Sequence, residues 1–580
     1  MQILLVAINA KYIHSNPAVH SLKACAGEYA SYVSICEFTI NQPPTFILQE
    51  IYRQRPDVIA FSCYIWNRAV IGPIISDLHK ILPDTDIWAG GPEVTYDAHS
   101  ALLEWNLRGV MTGPGEATFA RLCAAYVNGS ADKLPEVLNG ITAKRTPLNE
   151  IPFWYEFEAD EDNRIVYYES SRGCPFSCSY CLSSIDKEMD FKNTDHVCKD
   201  LDFFLRRKPK QVKFIDRTFN CKKSHALPIL SHILAHDNGV TNFHFEISAD
   251  LLDEDYFTIL KQMRPGAVQL EIGVQSTCAK TLAEIRRQTD LDKIKDAVTR
   301  ICSWKNIHVH LDLIAGLPFE NLQTFQNSFN DVYALSPEQL QLGFLKVLKG
   351  SRMESLAKTY GLSYSSTPPY EALSTNWLSF EDICELKQVE EMVETYYNSG
   401  QFAKSLAFLL RYFQTPYEMF KSLASWHKTH KLFGVQPSRI RKYEILFEFG
   451  AAHMTRTANA LTKPAYQNTN LRQDADLSIE AWKECLTYDL YLREHMKNRP
   501  PFARSARHWS DAMRDLFYEE SKSHARFPQL AHCNYRELTK ALHMEAFTQV
   551  FPKPAIVIFY YGKRDPLTNN CITTLEELCI

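Results

Sequence analysis

The sequence predicts an α/β protein built from an open parallel sheet with helices on both faces, a partly open parallel barrel, and a mostly helical C-terminal region. Two observations support this fold class. Apolar runs of strand length alternate with amphipathic stretches through the first two regions, the pattern of parallel sheets covered by helices. After Ser365–Pro369 the composition shifts and apolar residues recur at helical spacing. We predict domains over residues 1–145, 150–365 and 366–580.

Length and composition fit a multidomain globular protein. The chain has 580 residues, of which 45% are apolar and 23% charged, so several domains with sizeable cores are expected. A net charge of −5 makes nucleic acid an unexpected partner. No uninterrupted apolar run approaches the roughly 18 residues of a membrane span. Sixteen cysteines with no export signal predict a reducing, cytoplasmic location.

Region 1–145 is predicted to be a Rossmann-like sheet. Its predicted strands are 2–8, 32–38, 58–63, 86–90 and 109–112, with helices at 18–29, 44–55, 66–81 and 98–104. Ligands of such sheets bind at the carboxyl ends of the strands. Glycine-rich turns there let a backbone approach a ligand, although ordinary α/β turns share this composition. The candidate residues are Asn9, Ser62, Tyr64, Gly90, Gly91, Glu93, Gly113, Gly115 and Glu116.

The most specific motif is a Cys-x3-Cys-x2-Cys run formed by Cys174, Cys178 and Cys181. Iron–sulfur clusters usually take four cysteine ligands, so three would leave one iron open to a substrate or cofactor. A structural zinc site wants a closed set of four ligands, and the next cysteine downstream is Cys198. A disulfide framework is disfavoured by the low cysteine density. An open [4Fe–4S] cluster is therefore the favoured interpretation.

This run resembles the cluster loop of the radical S-adenosylmethionine (SAM) enzymes. The resemblance implies that Cys174, Cys178 and Cys181 ligate a [4Fe–4S] cluster and that SAM chelates its fourth iron. Tyr180 stands between the second and third cysteines, as the family prefers, and is expected to approach the adenine of SAM. The family also implies that reductive cleavage of SAM produces a 5′-deoxyadenosyl radical.

Region 150–365 then fits the partial (β/α)6 barrel of that family. Six strands are predicted at 167–171, 211–215, 242–248, 267–274, 308–314 and 340–348, and the active site of such a barrel lies at their carboxyl ends. By the resemblance, Asp216 binds the SAM amino group, Glu246 and Ser248 the ribose, and Arg287 the carboxylate. Arg286 is an alternative to Arg287. Gln275 completes the expected SAM contacts.

Ahead of this barrel, region 1–145 resembles the cobalamin-binding domain of the B12-dependent branch, because Gly90-Gly-Pro-Glu93 and Gly113-Pro-Gly-Glu116 turns are typical of it. The nine candidate residues above are then expected to contact cobalamin. The Asp-x-His-x-x-Gly motif that supplies a lower axial histidine elsewhere is absent, although His14 lies in the first loop. A degenerate domain that has lost its cofactor is the alternative.

The resemblance implies a radical SAM enzyme that methylates an unactivated carbon with the help of cobalamin. A rearrangement or cyclisation, with or without cobalamin, is an alternative. A nucleic-acid-binding protein with a structural cluster is an alternative of another class. An electron donor such as flavodoxin or ferredoxin is the expected partner. The helical C-terminal region resembles one that follows the barrel in a subgroup of B12-type radical SAM proteins, and the substrate is not encoded in any motif.

Overall fold

The computed structural model describes residues 1–157, 164–461, 470–496, 498–503 and 509–578. The chain forms two compact units. The first comprises Met1–Ser328 and Leu342–Ile383, and the second comprises Phe329–Gln341 and Cys384–Ile580. The division into two units does not test the predicted domain boundaries near residues 145 and 365, which stay predictions.

The first unit begins with a six-stranded parallel sheet in the order β2-β1-β3-β4-β5-β6. Its strands are β1 (Ile3–Asn9), β2 (Val33–Thr39), β3 (Val58–Ser62), β4 (Asp86–Gly90), β5 (Gly109–Thr112) and β6 (Val137–Asn139). Its helices are α1 (Pro17–Cys25), α2 (Pro44–Gln54), α3 (Arg68–Ile81), α4 (Pro92–Thr95), α5 (Ala98–Trp105) and α6 (Glu116–Val127). The strand order reverses between β1 and β3, which is where ligands bind in doubly wound sheets.

Strand β1 shows why this sheet is central. All seven of its residues are buried, with Leu4, Val6 and Ile8 packed in one core and Ile3, Leu5 and Ala7 in the other. A continuous apolar strand buried on both faces is what a helix-covered parallel sheet requires.

The same unit contains a second sheet in the order β14-β13-β12-β11-β10-β7. Its strands are β7 (Val166–Tyr168), β10 (Gln211–Phe214), β11 (Asn242–Ile247), β12 (Val268–Gln275), β13 (His308–Ala315) and β14 (Gln339–Phe344). A short antiparallel pair, β8 (Ser171–Arg172) with β9 (Asp190–Phe191), lies between β7 and β10 in the chain. A further pair is β15 (Ser363–Tyr364) with β16 (Ala372–Ser374). The helices of this region are α7 (Thr194–Arg207), α8 (Lys223–Ala235), α9 (Glu254–Gln262), α10 (Ala279–Glu284), α11 (Leu291–Trp304), α12 (Leu322–Tyr333) and α13 (Arg352–Leu356).

The second unit is mostly helical, with one antiparallel sheet. Its helices are α14 (Phe380–Met392), α15 (Ala403–Leu409), α16 (Pro416–Thr429), α17 (Arg439–Leu461), α18 (Asn470–Arg493), α19 (Ser510–Ser523) and α20 (Tyr535–Ala541). The strands are β17 (Leu542–Phe547), β18 (Ala555–Arg564) and β19 (Cys571–Glu577), in that order. The buried carboxylate of Asp489 accepts hydrogen bonds from the amide and hydroxyl of Ser405 at 2.8 and 2.7 Å, which caps the start of α15.

The predicted fold class is confirmed, and each predicted barrel strand overlaps an observed one. Strands β6, β17 and β19 are among those that were not predicted. Strand β6 has only three residues, too few to show a period, and β19 mixes polar and apolar residues without a clean alternation. Strand β17 does alternate apolar and polar residues over most of its length, a signal that could have predicted it. In the described parts of the chain, none of the helices combines the length and apolar character needed to cross a membrane.

Candidate functional site

The three cysteines lie in a loop, residues 173–189, that we call the cysteine loop. The β8–β9 pair closes its base, with Arg172 opposite Asp190. Gly173 opens the loop with a φ of 95°, and a Cβ atom there would lie 2.5 Å from the carbonyl oxygen of Glu188. Only glycine fits this turn without strain. The Cys174 amide also donates to the Asp186 carbonyl at 3.2 Å, so the loop is held at both ends.

All three thiols face one cavity of about 230 Å³, which we call the small cavity. Cys174 and Cys178 are buried and Cys181 is half-buried. Burial raises the pKa of the Cys174 thiol, which a bound metal would reverse by taking the thiolate. Among the described residues that line the small cavity, no further cysteine or histidine occurs. The donor set therefore fits a cluster with one open iron better than a closed zinc site.

Five of the six residues predicted to contact SAM line this small cavity: Tyr180, Glu246, Ser248, Gln275 and Arg287. Two of them carry buried polar atoms that lack a hydrogen-bond partner in the described chain, namely Oε1 of Gln275 and Nε of Arg287. Buried polar groups are rarely left unpaired. A polar ligand in the cavity would supply the missing partners.

Backbone geometry brings Gln275 and Arg287 together. Gln275 has a φ of 72°, and a Cβ atom on Gly273 would lie 2.1 Å from its side-chain nitrogen. The Arg287 guanidinium donates to the Gly273 carbonyl and lies 3.7 Å from the Cys178 sulfur. Gly273 therefore leaves the space that both side chains need.

Glu246 is an acid of the small cavity whose pKa is shifted strongly upward. Burial raises its pKa to about 7, because the charged form is poorly solvated there. The Arg217 guanidinium lies 3.9 Å from the Glu246 carboxylate and partly offsets this rise. A carboxyl group that is partly protonated near neutrality can donate as well as accept a hydrogen bond, which suits a ligand hydroxyl.

Asp216 does not line the small cavity. Its fully buried carboxylate accepts hydrogen bonds from the Ser170 amide at 2.8 Å, the Ser170 hydroxyl at 2.6 Å and the Ser171 hydroxyl at 2.7 Å. These contacts hold the strand that leads into the cysteine loop. The expected contact of Asp216 with the SAM amino group is thus corrected, because the sequence could not show that neighbouring serines saturate this carboxylate.

Replacing Asp216 with asparagine is expected to change how stability depends on pH. Burial raises the pKa of Asp216 to about 6, above the roughly 3.9 of an unfolded chain. The folded state therefore holds the proton more tightly, and the free energy of unfolding should fall by about 3 kcal/mol as pH rises from about 4 to 6. The Asp216→Asn variant should not show this decrease in the free energy of unfolding, because asparagine does not bind or release a proton.

Thermal unfolding of both proteins between pH 4.5 and 6.5 measures this effect. Wild type should lose stability relative to Asp216→Asn as pH rises, and Asp77→Asn, at an exposed carboxylate of α3, should track wild type. A difference in Tm between wild type and Asp216→Asn that stays constant with pH would contradict the assignment.

A second cavity of about 720 Å³, which we call the large cavity, lies at the carboxyl ends of the first sheet. Eight of the nine residues predicted to contact cobalamin line it: Ser62, Tyr64, Gly90, Gly91, Glu93, Gly113, Gly115 and Glu116. Its opposite walls come from the segment 148–155 and from barrel residues that include Tyr168, Glu169 and Arg172. Glycines and aromatic side chains together leave a wide, mostly apolar space.

Two carboxylates of the large cavity are tied to the rest of the first unit. Glu93 accepts a hydrogen bond from the Tyr370 hydroxyl at 2.8 Å, and Glu116 pairs through Oε1 with Arg172 at 2.8 Å. The second oxygen of Glu116 is buried without a partner in the described chain. Cobalamin carries many carboxamide side chains, whose N–H groups could donate to such an oxygen. The lining therefore fits the predicted group.

Asn9 does not line the large cavity, which corrects that expectation. Its amide donates to Glu37 at 2.6 Å and to the His14 carbonyl at 3.1 Å, so it braces the first loop. His14 is absent from the lining as well, and its ring nitrogen lies 2.5 Å from the Tyr167 hydroxyl. The first loop therefore turns its histidine towards the barrel strand β7 and not into the cavity.

The two cavities adjoin. Cys181, Ser183 and Arg217 line both of them, so a ligand in the large cavity and one at the cysteine loop would share a wall. No role was predicted for Arg217, for Arg172 or for the segment 148–155, although all of them line the large cavity. The signal for Arg172 was its place two residues before Cys174.

Family comparisons agree with this geometry. Residues 3–123 match the family described as the B12 binding domain, and residues 168–332 match the radical SAM superfamily. Residues 358–559 match a family described as a protein of unknown function, DUF4080.

Two curated relatives illustrate the similarity. The cobalamin-dependent radical SAM methyltransferase TokK of Streptomyces tokunonensis is 24% identical over 363 residues, which are 55% of this chain and 52% of that protein. The hopanoid C-3 methylase of Methylococcus capsulatus is 24% identical over 289 residues, which are 46% of this chain and 55% of that protein. The chain thus spans about half the length of these relatives.

Solved structures share the fold. The cobalamin-dependent SAM radical enzyme OxsB matches with a TM-score of 0.54 at 12% identity over 84% of each chain. The radical SAM methyltransferase TsrM of Kitasatospora setae matches with a TM-score of 0.51 at 15% identity, over 63% of this chain and 78% of that one.

Three thiols at one cavity of a parallel barrel, together with the family match over residues 168–332, place the chain in the class of radical SAM proteins. The chain belongs to the members of that class that carry a B12-binding domain. Its C-terminal region adds the DUF4080 family to these two domains.

Proposed function

We propose that this chain is an enzyme that binds a [4Fe–4S] cluster, SAM and cobalamin and transfers a methyl group to an unactivated carbon. One observation carries the proposal: the small and large cavities share Cys181, Ser183 and Arg217. Chemistry that uses a SAM-derived radical and a corrin together needs the two sites side by side.

When bound, the cluster would supply one electron that cleaves one SAM molecule to the radical, and a second SAM molecule would supply the methyl group that cobalamin would carry. The chain's residues hold these partners. Cys174, Cys178 and Cys181 offer the thiolates, and Arg287 and Gln275 offer polar atoms that lack partners in the described chain. Glu246, with a pKa raised to about 7, can exchange hydrogen bonds with a hydroxyl group.

The segment 148–155 contributes by excluding water. Trp154 and Tyr155 stack on each other with ring centroids 3.7 Å apart, and Trp154 also stacks on His20 at 4.4 Å. Trp154 and Tyr155 wall the large cavity, and an apolar wall protects a reactive intermediate from solvent.

The proposal requires an external one-electron donor, such as a flavodoxin or ferredoxin. We also place the protein in the cytoplasm. All fifteen described cysteines are free thiols, which suits a reducing compartment.

The test uses anaerobically reconstituted protein with dithionite and SAM that carries a trideuterated methyl group. Added cell extract supplies the unidentified substrate, and mass spectrometry follows 5′-deoxyadenosine and labelled metabolites. Release of 5′-deoxyadenosine with a metabolite that gains the labelled methyl group is the expected result. No 5′-deoxyadenosine above a SAM-only blank would contradict the radical SAM assignment.

A second reaction type has one observation in its favour. The anaerobic magnesium-protoporphyrin IX monomethyl ester cyclase of Rubrivivax gelatinosus is 19% identical over 341 residues. If this chain performs such a cyclisation, 5′-deoxyadenosine will form together with a product that lacks the label. The polar small cavity beside the thiols favours either reaction over a purely structural cluster, which needs no such cavity.

A further inference from the structure

Arg172 joins the two halves of the first unit at the wall of the large cavity. Its guanidinium binds Glu169 through two hydrogen bonds, of 2.9 and 2.7 Å. The same group reaches Oε1 of Glu116 at 2.8 Å. The side chain is only 19% exposed. A half-buried cation held by two carboxylates in this geometry has little freedom to move.

The backbone of Arg172 belongs to the base of the cysteine loop. Arg172 pairs with Asp190 across β8 and β9, and it directly precedes Gly173, whose turn leaves no room even for a Cβ atom. Cys174 follows at once. A displacement of Arg172 would therefore reach the first thiol without a flexible segment to absorb it.

The other end of this link belongs to the large cavity. Glu116 is the first residue of α6 and follows the Gly113–Gly115 turn that lines the cavity. Its second oxygen, Oε2, is buried beside the oxygen that Arg172 binds and has no partner in the described chain. A ligand that donates a hydrogen bond to Oε2 would fix the same carboxylate that holds the guanidinium.

We propose that Arg172 is a positioning residue that couples occupancy of the large cavity by cobalamin to the metal-binding conformation of the cysteine loop. This inference rests on the proposed function only because it requires that the protein binds both cobalamin and the cluster. Coupling of this kind is reciprocal: the cluster strengthens cobalamin binding by the same factor as cobalamin strengthens cluster binding.

The test measures the Kd of hydroxocobalamin by visible titration of cluster-loaded and of cluster-free full-length protein. Wild type should bind about tenfold more tightly with the cluster present. Arg172→Gln should bring the two Kd values within about twofold of each other. Arg172→Lys should restore part of the difference, because lysine keeps the charge but not the paired contact with Glu169.

A spectroscopic readout accompanies the binding data. In wild type, cobalamin should shift the EPR spectrum of the reduced cluster, and this shift should be lost in Arg172→Gln. Glu116→Gln should behave like Arg172→Gln, because it weakens the same link.

Lys349→Met is the matched control. Lys349 bridges to Asp97 at 2.6 Å and so also ties the first sheet's region to the barrel's region. Neither Lys349 nor Asp97 belongs to the cysteine loop, so loss of this ion pair should not affect the thiols. The variant should keep the cluster-dependent difference in Kd.

Three outcomes overturn the inference. The first is that Arg172→Gln keeps the wild-type difference in Kd between cluster-loaded and cluster-free protein. The second is that Glu116→Gln raises both Kd values by one common factor, as loss of a plain ligand contact would, and the third is that wild type binds cobalamin equally well with and without the cluster. If wild type binds no cobalamin at all, the proposed function fails and the coupling fails with it.

Discussion

Replacing Cys178 with alanine is expected to abolish release of 5′-deoxyadenosine from SAM. Cys178 is buried, faces the small cavity and lies 3.7 Å from Arg287. Its loss removes one of three thiolates and leaves the Arg287 guanidinium facing a gap. Because a cluster held by two cysteines is incomplete, both its visible absorbance and its iron content should drop after anaerobic reconstitution.

Cys198→Ala serves as the matched control. Cys198 lies in α7, outside both cavities, and its replacement should leave iron content and 5′-deoxyadenosine release at wild-type levels. If Cys178→Ala retains a full cluster and normal SAM cleavage, the assignment of the cysteine loop is wrong.

Replacing Gly91 with alanine is expected to cost about 2–5 kcal/mol of stability and to weaken hydroxocobalamin binding by at least about tenfold. Gly91 has a φ of 110°, and a Cβ atom there would lie 2.4 Å from the carbonyl oxygen of Cys63. The turn after β4 and the loop after β3 would have to separate. Both line the large cavity, so its shape would change with them.

Gly129→Ala separates the clash from backbone strain. Gly129 also has a positive φ, of 67°, but a Cβ atom added there would meet no described atom within 4 Å. This variant should lose only about 1–2 kcal/mol and keep its affinity for hydroxocobalamin. Denaturant unfolding and visible titration measure both quantities. If the two variants lose the same stability and the same affinity for hydroxocobalamin, the predicted clash with the Cys63 carbonyl is wrong.

Local sequence patterns were enough for the barrel and the thiols. Each barrel strand carries buried apolar residues that local patterns reveal, and polar residues at the carboxyl ends of strands point to the mouth of a parallel barrel. Five of the six residues predicted to contact SAM accordingly reach the small cavity. Asp216 fails because Ser170 and Ser171, distant in sequence, arrive within hydrogen-bond distance and consume its oxygens.

In the large cavity, too, some features could be predicted from local sequence and others depended on residues that are distant along the chain. Its glycine turns could be predicted, since a turn needs glycine for local reasons. The partners of its carboxylates could not, because Tyr370 and Arg172 approach Glu93 and Glu116 from far along the chain. Asn9, assigned to a ligand from its strand end, instead binds Glu37 and His14.

The sequence by itself determined the fold class, the three thiols and the glycine turns, because spacing along the chain sets periodicity and backbone freedom. The tertiary structure alone decided which polar groups remain available to a ligand and that the two cavities share a wall. Hydrogen bonds and burial depend on residues that meet only after folding, and no spacing in the sequence records those meetings.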